Sequence, residues 1–249
     1  MKINSKKEKI GYALLISLAC LGIIALVAFP SLKQDLGYHV FSDQEHCCKI
    51  PNFWNVISNL PFLLVGLLGL KKVNVSTEFK LQKQLFFIGI SLVSFGSGYY
   101  HWSPNNETLV WDRLPMTIAF MALFSIIIGE FINEKAGNKS FIPLLLIGIG
   151  SVIYWVLFDD LKFYALVQFY PMLAIPVILI FFKSKKHALW GYWTLLIAYI
   201  MAKIFEHFDF EVHSTILFIS GHSIKHLVAA AGVYCLLYYY QQRDGTTNK

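Results

Sequence analysis

The sequence predicts an all-α fold, a polytopic bundle of membrane helices, on three observations. Apolar residues make up 56% of the 249, against about 45–50% in soluble domains, and mean hydropathy is +0.56. The apolar residues gather into about eight blocks of roughly 17–25 residues, the length a helix rising ~1.5 Å per residue needs to cross ~30 Å of hydrocarbon. The cations, finally, alternate from one connection to the next.

The spans are predicted near 10–29, 52–70, 84–102, 113–133, 141–158, 163–182, 188–206 and 214–240. The first follows Lys2, Lys6, Lys7 and Lys9, a pattern shared with signal peptides. Its run of about 20 apolar residues is long for a signal core, and "LLISLAC" around Cys20 is a poor lipoprotein cleavage site. An uncleaved, signal-anchor-like helix over 1–30 is the favoured reading. The connection 30–51 carries Pro30, Asp35, His39, Asp43, Glu45 and His46 and leads into the second span. There Asn52, Asn55, Ser58 and Asn59 lie at helical spacings, which suits hydrogen bonding between helices. The remaining connections are short, so consecutive helices are expected to pack antiparallel.

Charge sets the topology. Fifteen cations occupy alternate connections (Lys2, Lys6, Lys7, Lys9; Lys71, Lys72, Lys80, Lys83; Lys135, Lys139; Lys183, Lys185, Lys186; Arg243, Lys249), and only Lys33, Lys49, Arg113 and Lys162 occupy the others. This positive-inside bias puts both termini in the cytoplasm with an even number of spans between them. The net charge of +6 is thus a topology signal, and nucleic acid is not an expected partner. Cysteine adds little: Cys20 and Cys235 fall within spans, and a disulfide between adjacent Cys47 and Cys48 would be strained.

Ionisable groups within spans are costly and are functional candidates by default. Ser97 and His101 are four residues apart, hence on one helix face at the outer end of the third span. Asp112 precedes the fourth span, and His222 and His226 form an i, i+4 pair in the last. That spacing points two imidazoles the same way, as two ligands of one metal require. All five residues fall on the same side of the membrane. Zn²⁺ suits three imidazoles with an open fourth position, and it lowers the pKa of a bound water to about 7. A carboxylate accepts that water's proton, and a serine hydroxyl assists a carbonyl oxygen as it becomes negative. Each residue has a simpler reading. Asp112 can cap a helix with Pro115 in its first turn, Ser97 between Gly96 and Gly98 can be a small-residue packing surface, and His101 can be an interfacial polar residue. A haem fits the single i, i+4 pair poorly. Lys225 is expected in an ion pair with Glu206 or Glu130, or at a lipid head group; His207 and His213 are expected in solvent.

"NFWNVISNL" at 52–60, the SxxxH of Ser97 and His101, "WDRLPM" at 111–116 and the GHxxKH of 221–226 together resemble the alkaline ceramidase family. Its wider superfamily of seven-helix membrane hydrolases also includes the progestin and adipoQ receptors. The likeness covers about residues 50–240. It implies a zinc amidase with His101, His222 and His226 as metal ligands, Asp112 as general base and Ser97 assisting at the zinc or the carbonyl. It also implies a seven-helix membrane domain, here 31–249, to which the first helix is an addition. The family binds calcium through acidic residues ahead of the "FWN" helix, including a glutamate directly before it. Asn52 stands there in this chain, Asp43 and Glu45 do not restore the pattern, and no calcium site is expected.

The expected function is therefore a zinc-dependent hydrolase in the cell membrane, cleaving an amide of a ceramide-like lipid that enters laterally from the bilayer, with the site towards the outer face. The alternative is a receptor-like or structural seven-helix protein whose zinc is not catalytic. A proton-coupled transporter is the weakest reading, because Glu130 and Glu206 both lie near helix ends.

Overall fold

The computed structural model describes residues 5–73, 79–183 and 189–246, the last three as backbone. Lys2, Lys185, Lys186 and Lys249, which contribute to the charge argument, lie outside them. The described residues are helical, without a strand. In order they form α1 (Lys6–Ala28), a 3-10 turn (Leu36–His39), α2 (Phe53–Ile57), α3 (Leu60–Val73), α4 (Lys80–Trp102) and α5 (Asn106–Ile127), which runs into a π turn (Ile128–Ile132). There follow α6 (Glu134–Phe158), α7 (Lys162–Phe181), α8 (Trp190–His207), α9 (Asp209–Ile216) and α10 (Gly221–Thr246).

A long helix, or a broken pair of helices, stands at each of the eight predicted places, but several details differ. Five are long and apolar enough to cross a membrane, or six if the bent pair α9–α10 is counted as one span. The helix α4 falls short because it gives one face to polar residues, and α8 because Lys203, Glu206 and His207 occupy its last turns. On α4, Ser91, Ser94, Ser97 and His101 are buried, whereas Ile88, Leu92, Phe95, Tyr99 and Trp102 are exposed. The exposed set repeats at three- and four-residue intervals, one stripe of a helix. Apolar outside and polar inside is the arrangement a hydrocarbon surround favours.

The second span is not continuous. Pro61 has no N–H to give the carbonyl of Ile57, and the chain tightens: Asn59 N–H bonds the carbonyl of Val56 instead of that of Asn55. This separates α2 from α3. The last span is also broken, with a bend of 101° between α9 and α10. Leu217 closes α9 in the left-handed region at φ 72°, and Ser220 opens α10 by accepting the N–H of Ser223 at 3.2 Å. Gly221 permits this start, because a β-carbon there would lie 2.3 Å from the carbonyl oxygen of Phe205. The helices at the fourth and fifth predicted places, α5 and α6, begin seven residues earlier than hydropathy alone places them. Asn105 caps α5, its Oδ1 accepting the N–H groups of Glu107 and Thr108 at 2.9 and 3.0 Å, and Asn133 caps α6 through Ala136.

The residues fall into two compact units. One contains Met1–Gln34, Leu81–Phe86 and Thr117–His187. Within it α1 packs on α7, with Gly11 against Phe181 and Phe182 and Gly22 against Leu166. The C-terminus of α1 is held from the start of α7. Lys162 Nζ donates to the carbonyls of Leu26 and Phe29 at 3.0 and 2.7 Å, and the Asp160 carboxylate accepts the N–H of Leu32 and of Lys162 at 3.0 and 3.1 Å. Burial pushes the Asp160 carboxyl up, but these two N–H donors and the Lys162 ammonium outweigh it and hold the group below the ordinary carboxylate range. The other unit contains Asp35–Lys80, Phe87–Met116 and Ala188–Lys249. In it α10 packs on α8, α3, α9 and α2, and every candidate site residue belongs to it. The cysteines are free; the sulfurs of Cys47 and Cys48 lie 3.6 Å apart on an exposed turn.

Candidate functional site

Three imidazoles meet inside the second unit. His101 comes from the last turn of α4, and His222 and His226 come from the first two turns of α10. All three are buried. One nitrogen from each lies within 4.8 Å of the others, and the Nε2 atoms of His101 and His222 are 3.3 Å apart. Zinc with Zn–N bonds of ~2.0–2.1 Å spans a tetrahedral edge of about 3.3–3.4 Å. The His101–His222 separation has that length, and His226 brings a third nitrogen within 4.8 Å of both. Three neutral nitrogen donors with no thiolate are also a donor set that zinc accepts. Nδ1 of His101 is buried with no hydrogen-bond partner among the described residues. The ring of Phe41 closes over the pair, its centroid 4.7 Å from His101 and 4.6 Å from His222.

Ser97 lies one turn before His101 on the same face of α4, is buried, and its hydroxyl lies beside the carboxylate of Asp112. Asp112 is not a helix cap, because α5 starts at Asn106 and Asp112 lies well inside it. Pro115 is likewise in the helix interior, where its missing N–H leaves the carbonyl of Trp111 without its usual donor. That carbonyl faces α4 at Gly96, where a β-carbon would come within 1.9 Å of the oxygen. A proline in α5 and a glycine in α4 thus let the two backbones meet beside Ser97 and Asp112. The packing reading holds for Gly96, and Ser97 next to it faces the acid.

The head of α10 is pinned by groups that the sequence left without a site role. Asp209 is buried; its Oδ1 accepts the N–H of His222 at 2.7 Å and its Oδ2 the N–H of Ser42 at 2.9 Å. Asn55 Oδ1 accepts from the hydroxyls of Ser223 at 2.7 Å and Ser220 at 3.3 Å. Asp43 is fully buried and accepts the N–H groups of Asn55 and Glu45 at 2.9 and 3.1 Å. Asn52, where the family carries a glutamate, sits in the left-handed region at φ 46°, and its amide donates to the carbonyl of His101 at 2.8 Å. The polar residues of "NFWNVISNL" therefore do join helices, as their spacing predicted. Ser58 does more, since its Oγ lies 2.8 Å from Nδ1 of His226.

Lys225 pairs with Glu206 at 2.7 Å, and Glu206 also receives Lys203 and the hydroxyl of Tyr38 at 3.3 Å. His207 is exposed, as expected. His213 is not left to solvent; its Nδ1 lies 2.8 Å from the hydroxyl of Ser42. His39 bridges Tyr100 and Asn106, both at 2.9 Å, and so braces the ring next to His101. No sequence signal marks Asp209 or His39 for these positions, because their partners lie far away along the chain.

No curated protein matches the chain. A family model described as Ceramidase matches residues 42–249, from the strap carrying Ser42 to the end of α10 and leaving out α1. The chain therefore belongs to the ceramidase family.

Proposed function

We propose that this protein is a membrane-embedded, zinc-dependent amidohydrolase that cleaves the amide of a ceramide-like lipid taken from the bilayer. The convergence of His101, His222 and His226 within one buried cluster is the observation that carries this reading, and membership of the ceramidase family supports the lipid amide as substrate. These three histidines would hold the zinc. When bound, zinc supplies a Lewis acid and a water acidic enough to attack near neutral pH.

The chain's own residues perform the rest. Asp112 acts as general base, taking the water's proton on its carboxylate while the new C–O bond forms. Ser97, whose hydroxyl lies beside that carboxylate, orients it and, once Asp112 carries the water's proton, turns its single proton to the carbonyl oxygen as negative charge develops there. As the C–N bond breaks, Asp112 gives the water's proton to the departing nitrogen, which yields a fatty acid and an amine and restores the carboxylate. Phe41, packed on the rings of His101 and His222, keeps bulk water from the outer side of the cluster, which strengthens electrostatic interactions inside. The positive-inside pattern supports cytoplasmic termini and a site towards the outer face.

The decisive experiment counts metal by mass spectrometry in full-length protein purified in detergent, wild type beside His222→Ala, and assays lipid-amide hydrolysis with Asp112→Asn as control. About one zinc per chain, lost in His222→Ala, and turnover lost in Asp112→Asn with zinc retained, is the expected outcome. Zinc retained with no turnover by the wild type on any lipid amide would point to a non-catalytic metal. Well-folded protein without stoichiometric metal would sink the hydrolase.

A further inference from the structure

The three histidines are not held alike. Nδ1 of His101 has no hydrogen-bond partner among the described residues, whereas Nδ1 of His226 lies 2.8 Å from the hydroxyl of Ser58. Where that hydroxyl's own proton goes follows from the break between α2 and α3. Because Asn59 N–H turns to Val56, the carbonyl of Asn55 lacks its regular helical donor. Two side chains serve it instead: Asn59 Nδ2 at 2.7 Å and Ser58 Oγ at 3.2 Å. With its proton committed to Asn55, the Ser58 oxygen can only accept from His226. Nδ1 of His226 then carries the hydrogen, and Nε2 presents its lone pair to the cluster.

We infer that Ser58 is a positioning residue that selects the metal-binding tautomer of His226, with Asn55 as the anchor that orients Ser58. The inference rests on the zinc reading above and extends it to residues of the "FWNVISN" segment. Asn55 is suited to this because it faces both ways. Its carbonyl orients Ser58, while its side-chain oxygen accepts from Ser220 and Ser223 at the head of α10. One residue thereby sets both the tautomer of His226 and the seat of the helix carrying it. Outer-sphere partners of this kind hold a ligand's ring and raise its basicity, and their loss typically weakens metal binding about 10–100-fold.

The test is zinc affinity, measured by competition with a chromophoric chelator on metal-stripped full-length protein in detergent, for wild type, Ser58→Ala and Ser58→Thr. Thermal melting of each apo-protein reads folding separately. Ser58→Ala should bind zinc about 10–100-fold more weakly while its apo-protein melts close to wild type, and Ser58→Thr, which keeps the hydroxyl, should restore most of the affinity. Equal affinity in wild type and Ser58→Ala, or equal weakness in Ala and Thr variants, would overturn the inference with the zinc reading intact. Should Ser58→Ala not fold, Ser58→Cys decides: its poorer acceptor should weaken zinc, and wild-type affinity counts against Ser58. A wild type that takes up no zinc would instead overturn the reading on which the inference rests.

Discussion

Gly96 of α4 lies directly against the carbonyl of Trp111 in α5, so closely that a β-carbon at position 96 would be 1.9 Å from that oxygen. The obstacle is backbone, which cannot swing aside as a side chain does. Gly96→Ala must push the helices apart, at a cost of about 1–3 kcal/mol for overpacking, and the shift falls on the neighbouring Ser97–Asp112 contact. A displacement near 1 Å at such a pair costs on the order of 10²-fold in rate. Gly96→Ala should therefore lose activity while still binding zinc, which an assay paired with metal analysis reads directly.

Ser97→Ala and Asp112→Asn should differ in degree. Removing the base should cost about 10²–10⁴-fold in kcat, and removing the hydroxyl that orients it should cost less, because the carboxylate remains. Both variants should keep their metal. A Ser97→Ala protein as inactive as Asp112→Asn would assign the serine a direct part in the chemistry.

Asp209 satisfies one of the first N–H groups of α10, that of His222, and ties Ser42 to the same carboxylate. Asp209→Ala leaves both donors unpaired, at roughly 1.5–3 kcal/mol for a charge-assisted bond, and frees the strap that carries Phe41. The expected result is a lower melting temperature and a zinc affinity several-fold weaker, although the residue touches neither metal nor substrate. Unchanged zinc affinity would confine Asp209 to a stabilising role.

At the Glu206 cluster, the two single replacements should be unequal. Lys225→Met removes one of two lysines and leaves Glu206 paired with Lys203. Glu206→Gln leaves two ammonium groups without their carboxylate, and breaking a largely buried pair from that side costs about 3–5 kcal/mol. Melting in detergent should thus rank wild type above Lys225→Met and Lys225→Met above Glu206→Gln; the reverse order would mean that Glu206 is not the hub.

Stability should depend on pH through Asp160, whose carboxyl is held below its ordinary range, burial being outweighed by the N–H groups of Leu32 and Lys162 and by the Lys162 ammonium. A depressed folded-state pKa stabilises the protein above the unfolded value, about 3.9, and that contribution disappears as pH falls through the folded value. Wild type should melt above Asp160→Asn at neutral pH, with a constant gap down to about pH 5 and a narrowing one below about pH 4. A gap independent of pH would assign the effect to hydrogen bonding alone.

The fold class and the histidine cluster were legible because they are periodic signals: apolar length for the helices, four-residue spacing for His222–His226. The alternating lysines predict one membrane face for all five candidate residues. The interruptions were not legible. Hydropathy averages over a break, so the turns at Ser58–Asn59 and at 217–220 were read as continuous helix, although Pro61 in one and Ser220–Gly221 in the other mark them. Hydropathy likewise passes over caps, which is why Asp112 was open to reading as a helix start when Asn105 holds that place. Asp43 and Asp209 were beyond reach for a different reason. Each serves a backbone N–H that folding brings to it, Asp43 that of Asn55 and Asp209 those of His222 and Ser42.

The hold of Lys162 on α1 bears on how this helix can be dispensed with. A protein trimmed to the region shared with its family, 42–249, would keep an ammonium whose acceptors at Leu26 and Phe29 had gone, and an acid deprived of Leu32. The flank of α7 now covered at Leu166, Phe181 and Phe182 would lose its cover, and an unshielded charge pair, Lys162 with Asp160, would stand at the start of the helix. The additional helix has thus become a dependency of the chain that carries it, and a minimal version of this protein would need position 162 rewritten as well as its first forty residues removed.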